Sequence, residues 1–136
     1  MSRNFNEKSA KAFARCLDED RFEDLQRVLE QDCIYDLGDE TLVGPKAIAK
    51  SYESNMVAAR QKLDDVVWGK IKVLMLEAHH AELNVTDHIQ HEGQKHVHYC
   101  RQLFWINEQH LVERIQHVDL PGEPEKLKAF YDRVGL

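Results

Sequence analysis

The stretch AELNVTDHIQHEGQKHVHYCRQLFWI, residues 81–106, decides the fold. Its apolar side chains recur with a period of two on both sides of a short turn at Gly93, which is the pattern of two antiparallel β-strands. Similar strands flank it, so residues from Trp68 to Asp119 read as one sheet with apolar side chains on both faces. Such a sheet needs a cover on each face. The residues before position 60 look helical and can cover one face, and we expect a partner subunit to cover the other.

Period-two patterns predict four consecutive strands in this region. Turn residues separate them at Glu92-Gly93-Gln94-Lys95 and at Asn107-Glu108-Gln109, so we expect an antiparallel meander. The predicted strands run from Val66 to Leu76, Ala81 to His91, His96 to Ile106, and from position 110 to about Leu120.

Helical patterns precede the sheet and follow it. A first helix is predicted from Asn6 to about Leu17, and a second follows a capping box formed by Asp20 and Glu23. A small hairpin, 33–35 with 41–43, leads to a third helix that opens at Gly44-Pro45. We therefore predict an α+β chain with a single domain, 1–136, in which 121–136 form a short C-terminal helical extension.

The charge of the chain excludes several classes of partner. A formal net charge of −6 and the lack of a basic patch argue against nucleic acid and against anionic membrane surfaces. No segment reaches the ~20 apolar residues of a membrane span, and the N-terminal residues lack the apolar core of a secretory signal. The three cysteines form no C-x-x-C pair. We expect a cytoplasmic protein with reduced thiols.

The predicted hairpins determine which residues share a face of the sheet. A two-residue turn at Gly93-Gln94 places Asp87 opposite Cys100, and a left-handed Gln109 places Ile106 opposite His110. One face then mixes apolar walls with small polar groups, as a ligand cavity does. That face carries Leu83, Val85, Asp87, His98, Cys100, Gln102, Phe104, Arg114 and Gln116.

The opposite face is richer in large apolar side chains, which is the composition of a subunit interface. We predict a homodimer through this face. Its main contacts are expected from Tyr99, Leu103, Trp105 and Ile115, with His117 beside them.

Two local motifs resemble a known family. Asp32-Cys33-Ile34-Tyr35-Asp36, followed by Val43-Gly44-Pro45-Lys46-Ala47-Ile48, is similar to a "D-x-x-Y-x-D … G-x-x-A-I" pattern with one residue missing. Residues 104–111, ending at Asp119, are similar to "F-x-v-x-x-G-k-I … D", with Gln109 in place of glycine. Both motifs, and the order of the elements, resemble the nuclear transport factor 2-like (cystatin-like) fold, in its SnoaL-like and ketosteroid isomerase-like branch. The resemblance implies a cone of N-terminal helices on a curved antiparallel sheet.

The resemblance also implies an aspartate or histidine base inside the cone, acting without a cofactor. Asp87 looks like the inward aspartate of the epoxide hydrolase-like branch. That branch has an arginine where Val85 stands and an aspartate where Gln116 stands, so its hydrolysis mechanism is not expected here. Asp36 lies near the position of the isomerase base, but the shortened motif leaves open whether Asp36 or Tyr35 points inward.

Other candidate residues have competing interpretations. Asp87 is either a general base in an apolar pocket or the partner of Arg114 in an ion pair, and His98 either relays a proton or only lines the pocket. The spacing of His91, His96 and His98 does not fix a third or fourth metal ligand, so no metal site is predicted. Residues expected to line the mouth of the cavity are Tyr35, Tyr52, Met56 and Trp68.

Two functions are consistent with these observations. The first is an isomerisation, dehydration or cyclisation of a small, largely apolar molecule. In it Asp87 or Asp36 takes a proton, and His98, Tyr35 or Arg114 steadies the oxyanion. The second is a non-catalytic ligand-binding or dimerisation module.

Overall fold

The computed structural model describes residues 2–136, and side chains from residue 4 onward. Within this range the chain forms four α-helices and one curved, unclosed sheet of seven strands, so the predicted α+β class is confirmed. None of the described helices is both long and apolar enough to span a membrane. The elements are α1 Ser2–Asp18, α2 Phe22–Leu25, β1 Leu29–Asp36, β2 Thr41–Val43, α3 Pro45–Lys62, β3 Asp65–Trp68, β4 Lys72–Glu77, β5 His80–His91, β6 Gln94–Ile106, β7 Val112–Asp119 and α4 Glu123–Arg133.

The sheet has the order β2-β1-β7-β6-β5-β3, and β4 also pairs with β5. Neighbouring strands are antiparallel except β1 and β7, which run parallel with Tyr35 opposite Ile115. The predicted meander did not include this pair. It matters because it places β1, and with it Tyr35, beside the last strand.

The second helix differs from its prediction. It is a single turn followed by one turn of 3-10 helix, Gln26–Val28, and its N-cap is Arg21 with no side-chain capping bond. Asp20, predicted to cap it, instead accepts a hydrogen bond from Arg60 of α3 at 2.8 Å. Because the Asp20 carboxylate forms this ion pair with α3, it does not cap the second helix.

The first predicted long strand is two strands, because the chain bends at Gly69. The Gly69 N–H donates to Thr86 O at 2.8 Å, and a Cβ at this position would meet Thr86 Cβ and O at 3.2 Å. A side chain at this position would therefore require Thr86 to shift by a few tenths of an ångström. After the bend β4 resumes pairing with β5 at Lys72, so the segment between the strands forms a rim over the sheet.

The hairpin of β5 and β6 turns one residue earlier than predicted. Glu92 and Gly93 both have positive φ, 51° and 75°, as a two-residue turn of type I′ requires. Asp87 therefore lies opposite His98, and Val85 lies opposite Cys100. Because the pairing differs from the prediction by two residues, the facing of the side chains is unchanged.

The hairpin of β6 and β7 differs in a way that does change the facing. Its left-handed residue is His110, at φ 63°, rather than Gln109, and the register shifts between Trp105 and Ile106. Gln102 consequently lies opposite His117. The odd shift exchanges the two faces of β7 relative to the prediction.

The helices cover the concave face of the sheet in two places. Phe13 of α1 packs edge-on against Phe104 of β6, with ring centroids 4.4 Å apart, at the centre of the main core. The C-terminal helix α4 covers the other end, where Phe130 stacks on His96 at 5.3 Å and joins a smaller core with Ile89. The space left between these two packed regions is the candidate site.

Candidate active site

A cavity of about 310 Å³ lies between the helices and the concave face of the sheet. Its walls come from α1, α3 and strands β1, β5, β6 and β7, together with the rim around Gly69. Most of the lining is aliphatic or aromatic, as in small-molecule sites. The lining residues are Leu17, Asp18, Phe22, Tyr35, Leu37, Tyr52, Asn55, Trp68, Ile71, Val85, Asp87, Cys100, Gln102 and His117.

One end of the cavity holds a network of two tyrosines and a glutamine. The Tyr52 hydroxyl donates to Gln102 Oε1 at 2.7 Å, and Gln102 Nε2 donates to the Tyr35 hydroxyl at 2.8 Å. The two tyrosine rings stack with centroids 5.1 Å apart. Burial raises the pKa of Tyr35 to about 12 and the pKa of Tyr52 well above its usual value. Both phenols therefore stay protonated, with the Tyr52 hydroxyl donating to Gln102 and the Tyr35 hydroxyl accepting from it.

The other end of the cavity holds Asp87. Burial raises the pKa of its carboxyl from 3.8 to about 7. Among residues 2–136 its Oδ1 atom has no hydrogen-bond partner, although it is shielded from solvent. The aromatic groups around it come from Trp68, its strand partner on β3, and from Tyr131 of α4, whose pKa is raised by burial and by the charge of Asp87. Near neutral pH this carboxyl is present in both protonation states.

The two polar ends are well separated. Gln102 pairs with Leu83 on β5, and Asp87 lies four residues further along the same strand. At about 3.3 Å per residue, the Cα positions at these two levels are roughly 13 Å apart. A ligand that contacts both ends spans this length of the cavity, less the reach of the side chains that project into it.

The structure brings half of the predicted site residues together around this cavity. Of the two residues whose direction the sequence left open, Tyr35 is the one that points inward, and it is only 3% exposed. The chemical roles proposed for these residues stay predictions. The predicted residues that line the cavity are Tyr35, Tyr52, Trp68, Asp87, Cys100 and Gln102.

Three predicted site residues lie on the outer face: the inward facing of Arg114 and Gln116 was wrong, and Asp36, whose direction the sequence left open, points outward. Asp36 faces outward, accepts a hydrogen bond from Gly38 N at 2.9 Å and lies 3.8 Å from Arg114. Arg114 lies over the Trp105 ring at 5.2 Å, so it does not pair with Asp87. Gln116 pairs with outward-facing Leu103. The odd register shift at the β6–β7 bulge explains both errors on β7.

Three further predicted residues are inward but do not line the cavity. His98 lies under α4, where burial lowers its pKa while the nearby Glu123 carboxylate opposes that shift. Met56 of α3 is 3% exposed, and Phe104 is fully buried against Phe13. Their burial is that of core residues, and His98 has no direct access to a cavity ligand.

Sequence reasoning missed three polar residues of the site, Asp18, Asn55 and His117. Asp18, the last residue of α1, accepts a hydrogen bond from Ile71 N at 3.3 Å, and burial raises its pKa. His117 lies beside Asp119, with His117 Nε2 2.8 Å from Asp119 Oδ1. The β7 bulge that turns His117 inward has no marker in the sequence, and Asp18 resembled an ordinary helix end. Among residues 2–136 no His, Cys, Asp and Glu side chains converge as a metal site would require.

No family model and no curated protein sequence matches the chain. Solved structures do match it. A Xanthomonas campestris protein provisionally called a polyketide cyclase has a TM-score of 0.71 at 16% identity, covering 98% of this chain and 99% of its own. The epoxide hydrolase/cyclase-like enzyme SalBIII, described in pyran ring formation in the polyether salinomycin, has 0.69 at 8% identity, covering 90% and 97%.

A de novo designed protein with a curved β-sheet matches as well, with a TM-score of 0.64 at 18% identity, covering 98% of this chain and 99% of its own. A designed scaffold and biosynthetic proteins thus share one architecture, so the likeness by itself carries no activity. What it does establish is that this chain has the nuclear transport factor 2-like fold that its sequence motifs resemble.

Proposed function

We propose that the protein binds a small, largely apolar molecule in this cavity and catalyses a cofactor-independent proton transfer. The reaction class is isomerisation, dehydration or cyclisation. The observation that carries the proposal is Asp87, a shielded carboxyl with a pKa raised to about 7 and no partner for Oδ1 among the described residues. A base is most effective when its pKa lies near the working pH, and desolvation gives that value here.

The proposed reaction uses both ends of the cavity. The Asp87 carboxylate removes a proton from a substrate carbon conjugated to a carbonyl group, and the electron pair of that bond moves toward the carbonyl oxygen. The Tyr35 hydroxyl, which already accepts from Gln102, donates its own proton in a hydrogen bond to the resulting oxyanion. Asp87 then returns the proton to another carbon of the same conjugated system. Isomerisation by this route leaves no net change in protons or electrons.

The separation of the ends favours conjugated or ring-containing substrates over short acids, because one molecule must reach both. The similar structures support this class. One is provisionally called a polyketide cyclase, and another is described in pyran ring formation.

We expect the protein to accelerate ring opening of 5-nitrobenzisoxazole, a general probe of base catalysis. The base removes the ring C–H proton, the N–O bond breaks, and a coloured cyanonitrophenolate forms without any cofactor. Only the carboxylate form of Asp87 can act, so the rate should rise with pH through about 7. The Asp87→Asn variant should lose at least about tenfold of the rate. Stopped-flow absorbance at a series of pH values measures both.

Asp36→Asn is the matched control, because this carboxylate faces outward. It should keep both the wild-type rate and its pH profile. A rate that falls equally in both variants, or that does not change between pH 5 and 9, would contradict the role of Asp87. The non-catalytic binding module would then be favoured, since His98 does not line the cavity.

We also propose that two copies of the chain pair through the outer face of the sheet. Tyr99 is 47% exposed there, and Leu103 and Trp105 are half-buried on the same face. Ile115, predicted as a fourth contact, is fully buried on the inner face and does not contribute. The remaining three side chains are apolar or aromatic, with Arg114 lying over the Trp105 ring, and a second copy could cover them.

A charge on this face should therefore dissociate the dimer. Leu103→Glu is expected to give a monomer by multi-angle light scattering, whereas the wild type gives a dimer. Val57→Glu, an equally drastic change on an exposed position of α3, should stay dimeric. A dimeric Leu103→Glu variant would assign the interface elsewhere.

A further inference from the structure

A second cleft, of about 570 Å³, adjoins the cavity. It lies between the C-terminal half of α1 and the rim where β3 bends into β4. Asp18, Trp68 and Ile71 line both spaces. A ligand longer than the inner cavity would extend past these three residues into the outer cleft.

Cations line this cleft although the whole chain has a net charge of −6. They are Lys11, Arg15 and Lys70. Lys11 pairs with Glu7 at 3.4 Å. Among the side chains described from residue 4 onward, Arg15 forms no hydrogen bond or ion pair, and the charge of Lys70 acts on Asp18, where it opposes the rise in the carboxyl pKa that burial causes.

The lining also contains two anions, Asp18 and Glu19, and the buried Oδ1 atom of Asp18 has no hydrogen-bond partner among the described residues. Glu19 lies 3.3 Å from Arg21. Asp18 accepts the hydrogen bond from Ile71 N, and burial raises its pKa. Three cations, Lys11, Arg15 and Lys70, against these two anions leave the lining of the cleft with a net positive charge.

Local structure explains why Arg15 and Lys70 face the same space. Arg15 precedes Asp18 by three positions on α1, so both lie on one side of that helix. Lys70 stands between Trp68 and Ile71 at the bend that Gly69 permits, exposed to solvent while its neighbours line the cavity. Each side of the cleft thus contributes one positive charge.

We propose that the outer cleft binds an anionic group, a carboxylate, sulfonate or phosphate, of a ligand whose apolar body fills the inner cavity. Arg15 and Lys70 hold this group. The inference rests on the proposed small-molecule cavity and adds the substrate class, an amphiphilic anion rather than a neutral apolar compound.

The test compares two fluorescent probes with the same aromatic body. N-phenyl-1-naphthylamine is neutral, and 8-anilinonaphthalene-1-sulfonate adds one sulfonate. In the Arg15→Gln/Lys70→Gln variant, affinity for the sulfonate is expected to fall about fivefold or more, since two exposed charge contacts are lost. Affinity for the neutral probe should stay within about twofold. Added salt should weaken only the sulfonate in the wild type.

Lys72→Gln is the matched control, because it removes an exposed positive charge two residues away that does not line the cleft. Val85→Trp, which fills the inner cavity, should weaken both probes. An equal loss of sulfonate affinity in Lys72→Gln, or an unchanged affinity in the double variant, would overturn the anion site alone. If Val85→Trp affects neither probe, the inner cavity is not the binding site, and the proposed function fails together with the inference.

Discussion

The Asp87→Asn variant is expected to be more stable than the wild type by about 1–3 kcal/mol at pH 8, and nearly equal to it at pH 4. The buried carboxyl has a pKa of about 7 in the folded protein and an ordinary value of 3.8. If the full difference applied, it would correspond to about 4 kcal/mol. The smaller range allows for the position of Asp87 on the wall of a cavity, where water screens part of its charge.

The direction follows from proton binding. Between about pH 4 and pH 7 the folded state holds the Asp87 proton and the unfolded state has lost it. The free energy of unfolding therefore falls as pH rises through this window, and the penalty is complete above pH 7. Asparagine is uncharged at every pH in this window, so the free energy of unfolding of the variant does not fall for this reason.

Urea unfolding of both proteins at a series of pH values measures this effect. The difference between them is needed, because the lowered pKa of His98 makes an opposite contribution below its usual pKa. Asp39→Asn, in an exposed loop, should shift stability by less than about 0.5 kcal/mol at each pH. A variant that gains nothing at pH 8 would mean that Asp87 is solvated and poorly suited to act as a base near neutrality.

A gain in stability on removing Asp87 would also bear on function. Groups that destabilise the folded state are found where catalysis or binding requires them. A combined result, higher stability with loss of probe turnover, is therefore more informative than either alone.

The sequence predicted the strands well because period-two patterns depend only on which face is buried. It did not predict the bend at Gly69, since the need for glycine there arises from the approach of Thr86 on another strand. It also placed Glu92 at the edge of the turn, with Gly93 and Gln94 at its centre, although Glu92 adopts positive φ as one of the two central residues. Such errors in a turn move the register and leave the strand itself intact.

The sequence placed site residues on the correct face of the sheet where the error in strand pairing was an even number of positions. It placed them on the wrong face where the error was an odd number. Asp87, Cys100 and Gln102 stayed on the inner face after a shift of two positions. Arg114 and His117 exchanged faces, because the bulge on β7 adds one residue. Helical residues that line the cavity, such as Asp18, are placed there by tertiary packing, which the periodicity of the sequence does not predict.

Loss of the Gln102 side chain is expected to destabilise the protein by about 2–4 kcal/mol. Gln102 is 5% exposed and joins the hydroxyls of Tyr35 and Tyr52. In Gln102→Leu one hydroxyl loses its donor and the other its acceptor. A buried polar group without a partner costs about 1–3 kcal/mol, which exceeds the net contribution of the hydrogen bond itself.

This asymmetry supplies a decisive comparison. In the triple variant Tyr35→Phe/Gln102→Leu/Tyr52→Phe no polar group is left unpaired, so most of the lost stability should return. Gln116→Leu, the same substitution on the outer face, should change stability by less than about 0.5 kcal/mol.

Urea unfolding of these variants separates the possible causes. If the triple variant is as unstable as the single one, the loss is one of packing. If the triple variant recovers its stability and still binds the neutral probe, the fold does not need the polar groups of this network. That outcome would support the proposed role of Tyr35 at the oxygen of the substrate.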